Sequence, residues 1–195
     1  PSIVSGVVPT WSIIDGDVDD LEVYCYVAAV ATDLATNLPY LRFRITGTTG
    51  AGSGSLSLRF EQAAQIAANN STLAVWAGSV FQRLAAGSVS NFSSIQLGVF
   101  PTNGSSTISG GAGTTNLNPA SGSFVRTVAV SNFTNASTTN VYSTINFNWS
   151  GGGLALEMSL DVGLPQLELG AFVTSIIPTT TAAATRNADA ITTPW

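Results

Sequence analysis

Lysine and histidine are absent from the 195 residues, cysteine occurs once, and 11 acidic residues face six arginines. Each shortage excludes something. Without histidine there is no Ser-His-Asp or Cys-His arrangement for nucleophilic catalysis. With a single cysteine as well, zinc sites built on His or several Cys are ruled out. Cys25 can form no intrachain disulfide, so cysteine usage leaves the compartment open. A lone thiol in the run Val23-Tyr24-Cys25-Tyr26-Val27 reads as a small buried hydrophobe. The arginines are scattered and the net charge is −5, which argues against nucleic acid, because phosphate binding needs clustered basic side chains. The best apolar run, residues 23–31, falls far short of the ~18–20 residues of a membrane span, so no membrane insertion is expected. The start lacks the basic and apolar regions of a signal peptide, and it opens on Pro1 as a processed or excised chain would.

Hydrophobic residues make up 45% and charged residues only 9%, against roughly 25% charged in an average soluble protein. Solubility therefore rests on Ser, Thr, Asn and Gly. The length suits one domain with a sizeable core.

The apolar residues recur with period two, the mark of half-buried strands. Leu41, Phe43 and Ile45 alternate with Arg42, Arg44 and Thr46. Leu56, Leu58 and Phe60 alternate again. Residues 73–84 form the longest strand candidate, with Trp76, Gly78, Val80 and Leu84 on one side and Ala77, Ser79, Phe81 and Arg83 on the other. Ile95, Leu97 and Val99 oppose Gln96, Gly98 and Phe100. A further strand is expected over 124–130. Ile145, Phe147 and Trp149 oppose Asn146 and Asn148. Leu154, Leu156, Met158, Leu160 and Val162 oppose Glu157, Ser159 and Asp161. Residues 23–30, mostly apolar, fit a strand lying between two sheets. Residues 61–70 are Ala-rich and read as irregular chain or one helical turn. The Gly/Ser/Thr/Asn stretch 101–122 is too long for an ordinary connection, so it reads as a functional or mobile loop. The sum is eight or nine short strands, hence an all-β antiparallel sandwich.

Chemistry has few candidates. The acidic cluster Asp15 to Asp20 fails the EF-hand spacing and fits a solvated turn better than a calcium loop. Glu157 and Asp161 share a strand face, but ~3.3 Å per residue puts their Cα atoms ~13 Å apart, too far for the roughly 5–9.5 Å of a glycosidase pair. A glycan hydrolase or lyase is accordingly the weakest reading, and no enzyme is expected. Binding is the stronger one: sugars are held by aromatic rings together with amide, Arg and carboxylate groups. Phe81, Arg83, Gln96, Tyr142 and Asn146 are the outward candidates by alternation, each of which would equally serve packing under a loop or a subunit contact. Trp76 and Trp149 fall on the core parity.

The run Pro165-Gln166-Leu167-Glu168, Thr174-Ser175, Ile177-Pro178-Thr179, Thr185-Arg186 and Ala188-Asp189 resembles the closing motif of a jelly-roll domain of tailed-phage fibre and minor structural proteins, itself similar to carbohydrate-binding modules. Weaker similarity reaches back through Leu38 to Phe43, Trp76, and Arg83 to Ser88. Ile176 stands where the motif has Tyr, and Asn187 where it has a small residue. The resemblance implies a β-sandwich of jelly-roll type over residues 1–177 with a C-terminal extended strap over 178–195. It implies a virion, extracellular setting, with other virion subunits, as in a homotrimer, and a host surface polysaccharide as partners. Glu168, Arg186 and Asp189 would pin the strap. No cofactor is expected beyond a structural calcium at Asp161, as late-strand acids ligate in similar modules.

Overall fold

The computed structural model describes residues 3–5, 12–15, 21–30, 39–60, 66–67 and 74–176, and every regular element among them is a strand. In spatial order, the first sheet is β1 (Ile3–Ser5), β3 (Leu21–Val30), β4 (Pro39–Thr48), β12 (Ala155–Leu169), β7 (Val75–Gly87) and β10 (Val125–Asn132). The second is β2 (Ser12–Asp15), β5 (Gly54–Arg59), β11 (Asn140–Trp149), β8 (Ser94–Thr102) and β9 (Gly113–Asn116), with β6 (Ile66–Ala67) paired to the start of β11. Among the described pairings β1 with β3 is parallel and the others are antiparallel. The chain passes repeatedly from one sheet to the other, so apart from β3 with β4 and β8 with β9 the paired strands are not consecutive in the chain. This is a jelly-roll β-sandwich.

Period-two alternation builds the core between the sheets. Phe43, Ile45, Met158, Leu160, Val162 and Val80 come from the first sheet; Leu56, Leu58, Leu97, Val99, Ile145 and Phe147 come from the second. Phe43 stacks on Phe147 with ring centroids 5.2 Å apart, a direct bond between the layers. Trp76 and Trp149 are buried with them, as their parity requires. Cys25 lies at the same depth, and burial pushes its thiol up to about 11, because the thiolate would lose hydration.

Three expectations change. β3 is not apolar on both faces over 21–25: Leu21, Val23 and Cys25 are buried, Glu22 is exposed and Tyr24 half-buried. Of the Ala-rich stretch, residues 66–67 are a strand and the remainder lies outside the described residues. The low-complexity stretch 101–122 is not one long loop, since it contains β9. Two of its glycines have a packing reason. A Cβ on Gly111 or Gly113 would overlap the backbone of β10 at Asn132 or Val130, so only glycine lets this segment lie against that edge. Ser131 of β10 donates to the Gly111 carbonyl, and the edge of the first sheet is covered there.

The last strand is longer than its apolar alternation indicates. After Val162 the register with β7 shifts between Gly163 and Gln166, with Leu164 at φ 51°, a left-handed conformation that non-glycine residues rarely adopt. Pro165 has no N–H to give a ladder, and this bulge absorbs it. Gln166-Leu167-Glu168-Leu169 then pair with Ser79 to Trp76. The Pro-Gln-Leu-Glu motif is thus a bulge followed by strand.

Candidate functional site

The alternation that fills the core also makes two outward faces, and the predicted residues are divided between them. Gln96, Tyr142 and Asn146 lie on the second sheet; Phe81 and Arg83 lie on the first.

On the second sheet, register places Ser57, Asn146, Gln96 and Asn116 in one row across β5, β11, β8 and β9. Ser57 Oγ donates to Asn146 Oδ1 at 2.7 Å, and Gln96 Nε2 donates to Asn116 Oδ1 at 2.9 Å. The next row is Ser55, Asn148 and Ser94, in which Asn148 Nδ2 donates to Ser94 Oγ at 3.0 Å. Beyond Asn146 in the other direction, Tyr142 stacks on Phe100 with centroids 5.6 Å apart. The Arg59 guanidinium lies 4.3 Å from the centre of the Tyr142 ring, close enough for a cation–π contact. Tyr142 is only 4% exposed, and its hydroxyl bonds to Thr107 Oγ1. Tyr142 is therefore a support and not an open platform. Phe100 is half-buried, and its ring lies where a Cβ on Gly98 would be, beside Gln96 on the same face. Sequence reasoning put Phe100 on the same side as Gln96 but did not count it among the binding candidates. It missed Ser57, Arg59 and Asn116, whose outward parity was readable for the first two and hidden by low complexity for the third.

The first sheet's outer face is charged and already paired. Asp161 is fully buried there, although its parity points outward. Arg42 Nε and Nη2 reach its two carboxylate oxygens at 2.6 and 2.9 Å, and Arg83 Nε adds a third bond at 3.0 Å. Arg83 also donates to the Tyr40 hydroxyl at 3.3 Å and lies over the Phe124 ring, 4.4 Å from its centre. Phe81 joins Tyr40, Phe124 and Leu164 in a small apolar cluster. These contacts bury charge by satisfying it at once with hydrogen bonds. They do not fit a calcium ion at Asp161. Its oxygens are occupied by guanidinium, two positive side chains adjoin it, and no cluster of three acidic, His or Cys residues exists among the described residues. A cation there would need several oxygen ligands. Glu157 is exposed and meets Arg44 Nη2 at 3.2 Å, so arginine engages both carboxylates of the candidate acid–base pair. Tyr24 is raised from its usual range, first because its hydroxyl donates to Glu22.

The chain leaves this sheet through a clamp. Both oxygens of Glu168 accept the Thr174 N–H at 3.1 Å, and Gln166 donates to one of them. Arg126 donates to the Thr174 carbonyl at 2.8 Å and to Ser79 Oγ. Of the residues expected to pin the strap, Glu168 holds Thr174, within the sandwich range, and the strap itself (178–195) lies outside the described residues. Arg186 and Asp189 lie outside the described residues, as do residues 16–20 of the acidic cluster. Arg126 is the clamp residue that parity did not single out.

No family model and no curated protein matches the chain. Solved structures do. A structure of carbohydrate-binding modules from the β-sandwich superfamily matches at TM-score 0.51 and 10% identity, over 84% of this chain and 58% of that one. An arabinose-bound α-L-arabinofuranosidase matches at TM-score 0.53 and 12% identity, over 83% of this chain. This chain spans only 23% of the arabinofuranosidase. The enzymatically active domain of tailspike protein 4 from bacteriophage CBA120 matches at TM-score 0.47 and 11% identity, over 83% and 19% of the two chains. At such identity the first two show a shared fold: this chain is a β-sandwich similar to that of carbohydrate-binding modules.

Proposed function

We propose that this domain is a non-catalytic glycan-binding module, with the outer face of the second sheet as its binding surface. The observation that carries the reading is the row Ser57, Asn146, Gln96 and Asn116, half-buried or exposed beside the Phe100 ring. Such a face offers amides to hydroxyls and an aromatic edge to the apolar side of a sugar. The first sheet's face has spent its charges on itself, and Asp161 and Glu157 are held by arginines; both facts support a binding role over a catalytic one. The similarity of fold to carbohydrate-binding modules is consistent with this. The setting we infer is a virion appendage such as a tail fibre, outside the cell, where the module meets a host surface polysaccharide. That inference rests on the closing motif's resemblance to tailed-phage structural proteins. A glycan array that includes host polysaccharides tests the reading. Binding to at least one glycan class is expected, and a uniformly blank array with folded protein rejects it.

A second reading has its own observation. Phe172 is 83% exposed in the segment that the Glu168–Thr174 clamp closes, and Leu169 and Val130 are also exposed. Exposed apolar side chains of this size are available to a subunit contact. Architecture alone, a joining or decoration module in a homotrimer, predicts a stable trimer by sizing and light scattering. Phe172→Ser would break that trimer, whereas a glycan-binding monomer would be indifferent to the change.

A further inference from the structure

We infer that the glycan bound on this face is uncharged and extended, lies across the strands, and is read by a row of mixed hydrogen-bond donors and acceptors; this rests on the glycan-binding reading above. Asn146 and Gln96 are register partners on adjacent strands, yet their side-chain bonds run outward in opposite directions. Asn146 Oδ1 accepts from Ser57, which leaves the Asn146 amide N–H groups to donate. Gln96 Nε2 gives one hydrogen to Asn116 Oδ1, which leaves Gln96 Oε1 to accept, its second N–H to donate and the Asn116 amide to donate. Three adjacent strands thus present unused donors and acceptors side by side.

This mixture selects a chemistry. A carboxylate or sulfate only accepts, so it could meet the amide N–H groups but would leave Gln96 Oε1 without a donor. A hydroxyl both donates and accepts, so a row of hydroxyls satisfies all three. Asn148 adds a second acceptor, because its Nδ2 is committed to Ser94. The strands β5, β11, β8 and β9 contain one charged residue, Arg59, and its guanidinium lies on Tyr142. No cluster of cations is available to draw an acidic polymer.

The spacing selects a shape. Adjacent strands are ~4.8 Å apart, so the four residues of the row span ~14 Å. An extended pyranose chain advances one ring over a distance close to one strand spacing. A chain lying along the row therefore offers one sugar per strand and needs about three rings to reach every group. The Phe100 ring, folded over Gly98, borders the row on the Gln96 side and gives an apolar flank.

The test is calorimetric titration of the intact domain with cello-, manno- and malto-oligosaccharides of two to six units, and with oligogalacturonates of the same lengths. One neutral series binds, its affinity rising about tenfold from two to three units and little thereafter, with weak dependence on salt. Asn146→Ala and Gln96→Met each lower affinity about fivefold, the cost of roughly one hydrogen bond. Their unchanged thermal midpoints show that folding is intact. Tighter binding of the oligogalacturonates, steep salt dependence, or native affinity in both variants overturns the inference and leaves glycan binding standing. Silence from every neutral series, with an array positive only for an acidic polysaccharide, does the same. Silence from the array as well ends both readings.

Discussion

The strands of the first sheet carry four arginines (42, 44, 83, 126) and four carboxylates (Glu22, Glu157, Asp161, Glu168), whereas β5, β11, β8 and β9 of the second carry Arg59 alone. Both outward faces arise from the same alternation, yet they differ in what their polar groups have left to offer. On the first, Asp161 is closed by Arg42 and Arg83, and Arg126 and Glu168 hold the departing chain. On the second, the amides bond pairwise and keep unused donors and acceptors. On the proposed reading the charged face is architecture and the neutral face is the one that recognises, so charge density alone would point to the wrong face.

That contrast can be broken most forcefully at Asp161. Asp161→Ala leaves two part-buried guanidiniums without their shared carboxylate and is expected to cost about 3 kcal/mol or more, read by urea unfolding. Glycan affinity of the folded protein stays unchanged. A loss under 0.5 kcal/mol would show that the face is not structural. Next in size is Gly98→Val on the other face, whose Cβ overlaps the Phe100 ring. It is expected to cost about 1–2 kcal/mol through overpacking and, unlike the first change, to weaken glycan binding. If titration shows native affinity, Phe100 is not part of the site.

The core between the faces supplies a third test. Burial raises the Cys25 thiol from 9.0 to about 11, so the folded state favours the protonated form. Its contribution is full below pH 9 and is lost as pH rises through about 11. Cys25→Ala should lack that part of the alkaline decline, and identical pH–stability curves for both proteins would refute it. The smallest effect belongs to Glu157→Gln. The Arg44–Glu157 pair is exposed, and removing it should move stability by less than about 0.5 kcal/mol, measured in the same urea assay.

Strand parity carried much of this structure in the sequence. Leu41, Phe43 and Ile45 inward with Arg42 and Arg44 outward, and Ile145, Phe147 and Trp149 inward with Asn146 outward, follow from period two alone. What parity cannot supply is which strands are neighbours. Gln96 and Asn146 are 50 positions apart in the chain, and Arg42 and Asp161 are 119 apart; only sheet order puts them in contact. For that reason nothing in the sequence showed Asp161 closed by two arginines, and alternation could not say whether Phe81 and Arg83 share a face with Gln96. β9 was hidden because Gly, Ser and Thr give no apolar rhythm. The bulge at Leu164 was hidden because Gly163 and Pro165 both signal an end to a strand that in fact resumes.

The division between the faces is tested most directly by following side-chain amide resonances while a glycan identified on the array is added. Shifts of the Asn146, Gln96 and Asn116 amide signals, with the Arg42 and Arg83 guanidinium signals unmoved, are the expected result. Shifts confined to the arginines of the first sheet would contradict it.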